Sequence, residues 1–171
     1  MKVVIIGGVA GGASAAARLR RNDENAEIII FERTGYISYA NCGEPYYIGG
    51  VIEEREKLTV QTPKGFKERF NVDVRVKSEV TAIDRDAKKV HVKNLETGEE
   101  YDESYDKLIL SPGAKAVKPD VPGADDERIF SLRTIEDTFA ISDFVEQKQP
   151  KTAIVIGGGF IGLEVAENLM E

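Results

Sequence analysis

The chain opens on a continuous β-branched run, Lys2 to Ile6, which predicts a strand buried on both faces of a parallel sheet. Glycines follow at once. The Ala-rich stretch Ala13 to Arg21 then predicts a helix, with basic residues at its C-terminal end, where the helix dipole favours them. A polar turn, Asn22 to Asn25, leads into a second apolar run, Ala26 to Phe31, closed by Glu32. Strand, helix and strand with short connections form a βαβ unit. Thr34 to Gly50 is irregular and rich in Gly and Tyr. Thr62 and Pro63 read as the N-cap and first residue of a helix running towards Asn71. From Val72 to Tyr101 apolar and polar residues alternate, with turns at Asp84 to Asp86 and at Thr97-Gly98. This predicts a small antiparallel meander with one solvated face. Leu108 to Leu110 reads as another buried strand, Lys115 to Gly123 as a Pro-bearing surface connection, and Ile135 to Gln147 as a helix. The predicted fold class is α/β, Rossmann-like, with a parallel sheet plus a small antiparallel β-meander.

The opening then repeats. Ala153 to Leu169 (AIVIGGGFIGLEVAENL) echoes Val3 to Leu19 (VVIIGGVAGGASAAARL), and the first glycines, Gly7 and Gly157, lie 150 residues apart. A second strand–glycine–helix unit is therefore expected to begin here, as part of a longer protein. The predicted division is a dinucleotide-binding domain over 1–150 and the start of another over 151–171.

Both glycine loops have the chemistry of a phosphate-binding turn. Glycine lets the backbone bend tightly, small residues let a pyrophosphate approach, and a helix N-terminus meets its charge. Gly157-Gly158-Gly159-Phe160-Ile161-Gly162 fits G-x-G-x-x-G fully. Gly7-Gly8-Val9-Ala10-Gly11-Gly12 has Val9 at the middle glycine position. Each loop follows an apolar run and opens a helix, which is the confirming context. Glu32 stands 20 residues after Gly12, at the end of the second strand, where a carboxylate can accept hydrogen bonds from ribose hydroxyls. The plainer reading is a glycine turn that only packs helix on strand.

Charge and composition exclude some classes. Net charge is −7, against a phosphate-backbone binder, so no nucleic-acid partner is expected. The N-terminal apolar run is too short for a membrane span and lacks a cleavage-site pattern, and a cytoplasmic protein is expected. His91, the sole histidine, lies in an alternating strand and is too isolated for a metal site. The one cysteine, Cys42, cannot form an intramolecular disulfide. It stands in SYANCGEPYYIGG, before a Gly-x-Pro helix entry that would raise the thiolate fraction. Glu44 would oppose that effect if its carboxylate faced the sulfur. Read from the residues alone, Cys42 is either a reactive thiol or a small buried hydrophobe.

The order of these parts resembles the FAD- and NAD(P)-dependent pyridine nucleotide-disulfide oxidoreductases, over essentially the whole chain. The most specific pieces are GGVAGGASAAARLRR, FER and SYANCGEPYYIGG. They resemble the single-cysteine branch, which holds coenzyme A-disulfide reductases, NADH oxidases and peroxidases, and persulfide reductases. The resemblance is nearest to the coenzyme A-disulfide reductases. It implies FAD held by the loop Gly7, Gly8, Val9, Ala10, Gly11, Gly12 and Ala13, with Glu32 and Arg33. It also places Val80, Ser111, Gly113 and Arg133 along the FAD site, and Gly157, Gly159 and Gly162 at the start of an NAD(P) site. Pro112 stands where the family usually has threonine. Cys42 would be the redox cysteine, and Ser14, Arg18, Arg21, Ser38 and Asn41 would contact coenzyme A.

Ser14, Arg18 and Arg21 recur at helical spacing and share a face. Two guanidiniums there suit a phosphate or pyrophosphate, although a solvated surface is the commoner fate of such arginines. Peroxidases and water-forming oxidases typically carry histidine where this chain has Ala10, which favours a disulfide or persulfide substrate here. The resemblance further implies a homodimeric full-length parent that takes coenzyme A or a small disulfide or persulfide. A non-catalytic FAD-binding module is the reading for the chain by itself.

Overall fold

The computed structural model describes residues 1–170. The chain divides into two compact units, Met1–Tyr39 with Thr59–Gly113, and Ala40–Leu58 with residues 114–170.

In the first unit four parallel strands stand in the order β3-β2-β1-β7: β1 (Lys2–Ile6), β2 (Glu27–Phe31), β3 (Asp73–Arg75) and β7 (Lys107–Leu110). β1 is central, with Val4 opposite Ile29 on one side and Leu108 on the other. Both faces of the sheet are covered, which is why β1 and β2 read as unbroken apolar runs. Alternate residues serve opposite layers. Val3, Ile5, Ile28 and Ile30 pack with Ala13 and Ala16 of α1 (Ala10–Asn22) and with Phe66 of α3 (Pro63–Phe70). Val4, Ile29 and Phe31 pack with Val90 and Val92. Those two valines belong to an antiparallel meander of β4 (Ser78–Asp84), β5 (Lys89–Asn94) and β6 (Glu100–Ser104), whose register shifts between Val80 and Ala82.

The expected α3 forms as read. The Thr62 hydroxyl accepts from the Gly65 N–H at 3.1 Å, Pro63 opens the helix, and Asn71 closes it in the left-handed conformation (φ 48°). Helix α1 begins three residues earlier than expected, because Gly11 and Gly12 are helical rather than part of the loop. The alternating VDVR segment is not part of the meander. β3 pairs in parallel with β2, Val74 opposite Ile30, and forms the edge of the main sheet. An edge strand with one face on a core shows the same alternation as a meander strand, so pattern alone does not separate them. The chain leaves the sheet at Lys77, at φ 50°. β7, expected to be buried, is half-buried, and Leu110 is largely exposed.

In the second unit, a 3-10 turn (Asn41–Gly43) runs into α2 (Glu44–Ile48), and a second 3-10 turn spans Arg55–Leu58. Helices α4 (Ile135–Lys148) and α5 (Phe160–Asn168) both pack on α2. Tyr47 meets Phe139 edge-to-face at 5.5 Å, and the Arg55 guanidinium lies 4.7 Å from the same Phe139 ring while pairing with Asp143. Thr134 and Asp137 form a capping box at the start of α4. Residues 115–123 are irregular and exposed, as expected. The strand expected before Gly157 does not form. Ile154 and Ile156 are 85% and 92% exposed, with no ladder partner among the described residues. A parallel strand needs neighbours on its edges, and an apolar sequence alone does not supply them. No helix among the described residues is long and apolar enough to cross a membrane.

Candidate functional site

The first glycine loop joins β1 to α1 at the carboxyl edge of the parallel sheet, where open α/β sheets bind ligands. Gly7 has φ +95°, and a Cβ there would collide with the Ser111 carbonyl. A Cβ on Gly12 would collide with the Gly7 carbonyl, and one on Gly11 would reach the Ser111 Oγ at 2.5 Å. One on Gly8 would lie 2.8 Å from Ile37. The glycines therefore bring helix, loop and the end of β7 closer than any side chain allows. Val9 is the N-cap residue of α1 and makes no side-chain cap. No side chain of the N-cap residue takes up the first N–H groups of the helix, and Ala10 and Gly11 are exposed there. A turn of glycines at a helix N-terminus fits the pyrophosphate of a dinucleotide.

Glu32 is 6% exposed and stands beside this loop. Its Oε2 accepts from the Gly8 N–H at 2.7 Å and its Oε1 from the Thr34 N–H at 2.9 Å. A carboxylate has about four acceptor positions. Two backbone donors fix its orientation and leave capacity for ribose hydroxyls. Arg33, next in the chain, is exposed. Ser38 is held at the same loop, its N–H donating to the Gly8 carbonyl at 3.1 Å, and it adopts φ 44°. The first unit thus gathers Gly7 to Ala13, Glu32, Ser38 and Ser111. Gly113, with φ +70°, follows at the exposed end of β7. Val80 sits at the irregularity in β4.

On the outer face of α1, Ser14, Arg18 and Arg21 are all exposed. Arg20 has a different fate. Its guanidinium binds the carbonyls of Phe70, Asp23, Glu24, Ala26 and Asn71 and clamps the end of α1 to the α3 terminus.

The second loop repeats the local geometry of the first. Gly157 has φ +110°, and a Cβ on Gly162 would collide with the Gly157 carbonyl, as Gly12 would with Gly7. Gly159 is the N-cap of α5, the place Val9 holds in α1.

In the second unit, Cys42 is exposed within the 3-10 turn, with Asn41 beside it. The Cys42 thiol therefore does not behave as a small core residue. Glu44, two residues on, is 5% exposed, and its Oε1 has no hydrogen-bond partner. Burial pushes its carboxyl up to about 7, the Arg133 charge pulls it down, and Asp137 adds a smaller push upward. Arg133, a sequence candidate, donates its N–H to Asp137 Oδ2 at 3.1 Å. Asp137 was not a candidate. Its signal was the Thr134-x-x-Asp137 spacing of a capping box. His91 pairs with Asp102 at 3.0 Å and Glu100 at 3.3 Å on the solvated face of the meander. No metal-binding cluster occurs among the described residues.

A glycine cradle at the sheet's carboxyl edge, a buried acidic residue after β2 and a repeat of the loop define a dinucleotide-binding protein of the Rossmann class. The chain belongs to the pyridine nucleotide-disulphide oxidoreductase family, whose profile matches residues 1–171. It is 48% identical over 168 residues to the coenzyme A disulfide reductase of Staphylococcus haemolyticus. That match covers 98% of this chain and 38% of the relative, so the chain spans well under half the length of the curated proteins it matches. Among solved structures, reduced Bacillus anthracis CoADR-RHD superposes with a TM-score of 0.96 at 56% identity, over 99% of this chain and 30% of that one. A NAD-dependent persulfide reductase from A. fulgidus superposes at 0.94 and 39% identity, over 99% and 32%.

Proposed function

We propose that this chain is the FAD-binding part of a flavoprotein that reduces coenzyme A disulfide, or a related disulfide or persulfide, with NAD(P)H. The observation that carries the reading is the exposed lone thiol of Cys42 in a chain 48% identical to a coenzyme A disulfide reductase. In this reading residues 1–150 form the FAD domain, and 151–171 begin an NAD(P) domain. Gly7 to Ala13, Glu32 and Arg33 hold the ADP part of FAD, Glu32 at the ribose, Val80 meets the adenine side through its backbone, and Ser111, Gly113 and Arg133 lie along the rest of the FAD. Gly157, Gly159 and Gly162 open the NAD(P) site. When bound, FAD supplies the two-electron relay between nicotinamide and disulfide.

The chain's own chemistry is thiol–disulfide exchange. The Cys42 thiolate attacks one sulfur of the substrate disulfide, a mixed disulfide forms, and one coenzyme A thiolate leaves. Opening the mixed disulfide with two electrons releases the second thiolate and restores Cys42. The net reaction consumes NAD(P)H and one proton and yields two thiols. Ser14, Arg18 and Arg21, exposed on one helix face, suit the phosphates of coenzyme A, with Ser38 and Asn41 nearer the thiol in sequence. Alanine at position 10 supplies no proton-transfer group for peroxide chemistry.

Two measurements test this. The purified chain is expected to show flavin absorbance bands after incubation with FAD. In the full-length parent, Cys42→Ser is expected to retain FAD and lose coenzyme A thiol release. Normal turnover in that variant, or oxygen consumption matching NADH oxidation, would refute the assignment.

A further inference from the structure

The second glycine loop and the Cys42 turn each lead straight into a helix, α5 from Gly159 and α2 from Gly43. Within the second unit these two helices pack on each other. Phe160, Ile161 and Leu163 of α5 are exposed, whereas Asn168, its last residue, is the one buried residue of the helix. Apolar burial is the ordinary means of holding a helix, and α5 inverts it. The Asn168 amide is satisfied inside its own helix, donating to the Glu164 carbonyl at 2.8 Å. Asn168 therefore meets α2 by shape.

What α2 offers at that point is Gly49, its C-cap residue. A Cβ on Gly49 would collide with the Asn168 carbonyl and lie 2.7 Å from the Asn168 Cβ. These atoms are backbone or one bond from it, so no change of rotamer clears them. Gly49 has φ −81°, which alanine also adopts. Glycine is needed here for space and not for conformation. Gly50 is the opposite case, with φ +81° and open space around it. Helix α2 is also held on α4, through Tyr47 against Phe139, so a side chain at position 49 displaces α5.

We propose that Gly49 is a positioning residue for electron delivery: it seats the end of α5 on α2, and so fixes the helix that follows the second nucleotide loop against the helix that follows the Cys42 turn. The proposal rests on the reading of Cys42 as the redox thiol and of the second loop as the NAD(P) site. In that reaction electrons enter at the nucleotide and leave at the disulfide. The seat sets the alignment of the entering side without touching either reactant. A methyl at position 49 must part the helix ends by about 1 Å to regain ordinary contact. A displacement of that size, away from the reacting atoms, costs up to about a hundredfold in rate.

Gly49→Ala tests this, with Gly50→Ala as the control whose cost is backbone strain alone. In the 171-residue chain, amide hydrogen exchange over residues 160–168 is expected to be about tenfold faster in Gly49→Ala, and unchanged in Gly50→Ala. In the full-length parent, Gly49→Ala is expected to retain FAD and to slow flavin reduction by NAD(P)H about tenfold or more. Coenzyme A thiol release from the dithionite-reduced enzyme is expected to stay at the wild-type rate. Plain destabilisation would slow both half-reactions together. Asn168→Gly added to Gly49→Ala removes the Cβ that lies 2.7 Å away and is expected to recover part of both effects; if Gly49→Ala alone does not stay folded by circular dichroism, the pair carries the same test. Wild-type exchange over 160–168 in a folded variant, or equal slowing of the two half-reactions, would overturn the proposal. The reading of Cys42 fails separately, through undiminished thiol release in Cys42→Ser of the parent, an outcome that leaves the exchange result standing.

Discussion

Replacing Glu32 with glutamine removes one acceptor from a site built around two donors. The carboxylate accepts from Gly8 N–H at 2.7 Å and Thr34 N–H at 2.9 Å, and each bond is charge-assisted. A glutamine can offer oxygen to only one of them and sets its own N–H2 against the other. The Gly8 bond is buried and the Thr34 bond is partly exposed. The amide oxygen will therefore turn to Gly8, and Thr34 will lose its partner where water can partly replace it. Bonds to charged groups contribute about 1.5–3 kcal/mol each. One is lost and the other weakened, so the expected cost is about 2 kcal/mol. With a urea slope of about 2 kcal/mol/M, the unfolding midpoint of the FAD-free chain should fall by about 1 M. The same variant should bind FAD at least tenfold more weakly, because the ribose then meets an amide whose oxygen is already used. A midpoint unchanged in the FAD-free chain would show that these backbone bonds do not stabilise the loop. Unchanged FAD affinity would remove Glu32 from the ribose site.

Other outcomes follow from the same geometry. Gly12→Ala drives a methyl into the Gly7 carbonyl, so flavin retention should be lost while far-ultraviolet dichroism stays near wild type. Glu44 has a folded-state value of about 7, above its ordinary 4.5, with burial the largest cause. Its contribution to stability is thus fully present below about 4.5 and is lost as pH rises through about 7. Relative to Glu44→Gln, the wild-type chain should lose about 2 kcal/mol between pH 5 and 8, less than the unscreened shift implies because the site relaxes on ionisation; urea unfolding at each pH measures this, and parallel profiles would contradict it. Glu103→Ala removes one partner each from Lys2, held at 2.5 Å, and from Arg75, held at 2.7 Å and lying over the Phe31 and Tyr101 rings, leaving Lys2 with Glu27 and Arg75 with Asp73. It should cost about 2 kcal/mol in urea unfolding, and Lys2→Met in the same chain should recover part of that loss.

The βαβ opening was legible in sequence because its signals are local. β-Branched runs, a glycine turn, an alanine-rich helix and Glu32 at a set distance all arise within 32 residues. Caps were equally local, as Thr62 and Pro63 show. The grouping of Ser14, Arg18 and Arg21 on one face followed from helical period alone. Their solvent exposure, and the capture of neighbouring Arg20 by five carbonyls, depend on where α3 ends against α1. That information is not in the helix.

Sequence by itself determined the order of elements, the glycine loops and the presence of a single thiol. Tertiary structure decided three things. It assigned VDVR to the edge of the parallel sheet, since strand partners are chosen by non-local pairing and not by alternation. It left the apolar run before Gly157 without a ladder partner among the described residues, since a strand exists only with a neighbour to bond. And it enclosed the Glu44 carboxyl while exposing the Cys42 thiol two residues away. Whether a side chain meets solvent depends on packing such as that of α4 and α5 on α2, more than eighty residues on in sequence, and burial there raises the Glu44 carboxyl from an ordinary value to about 7.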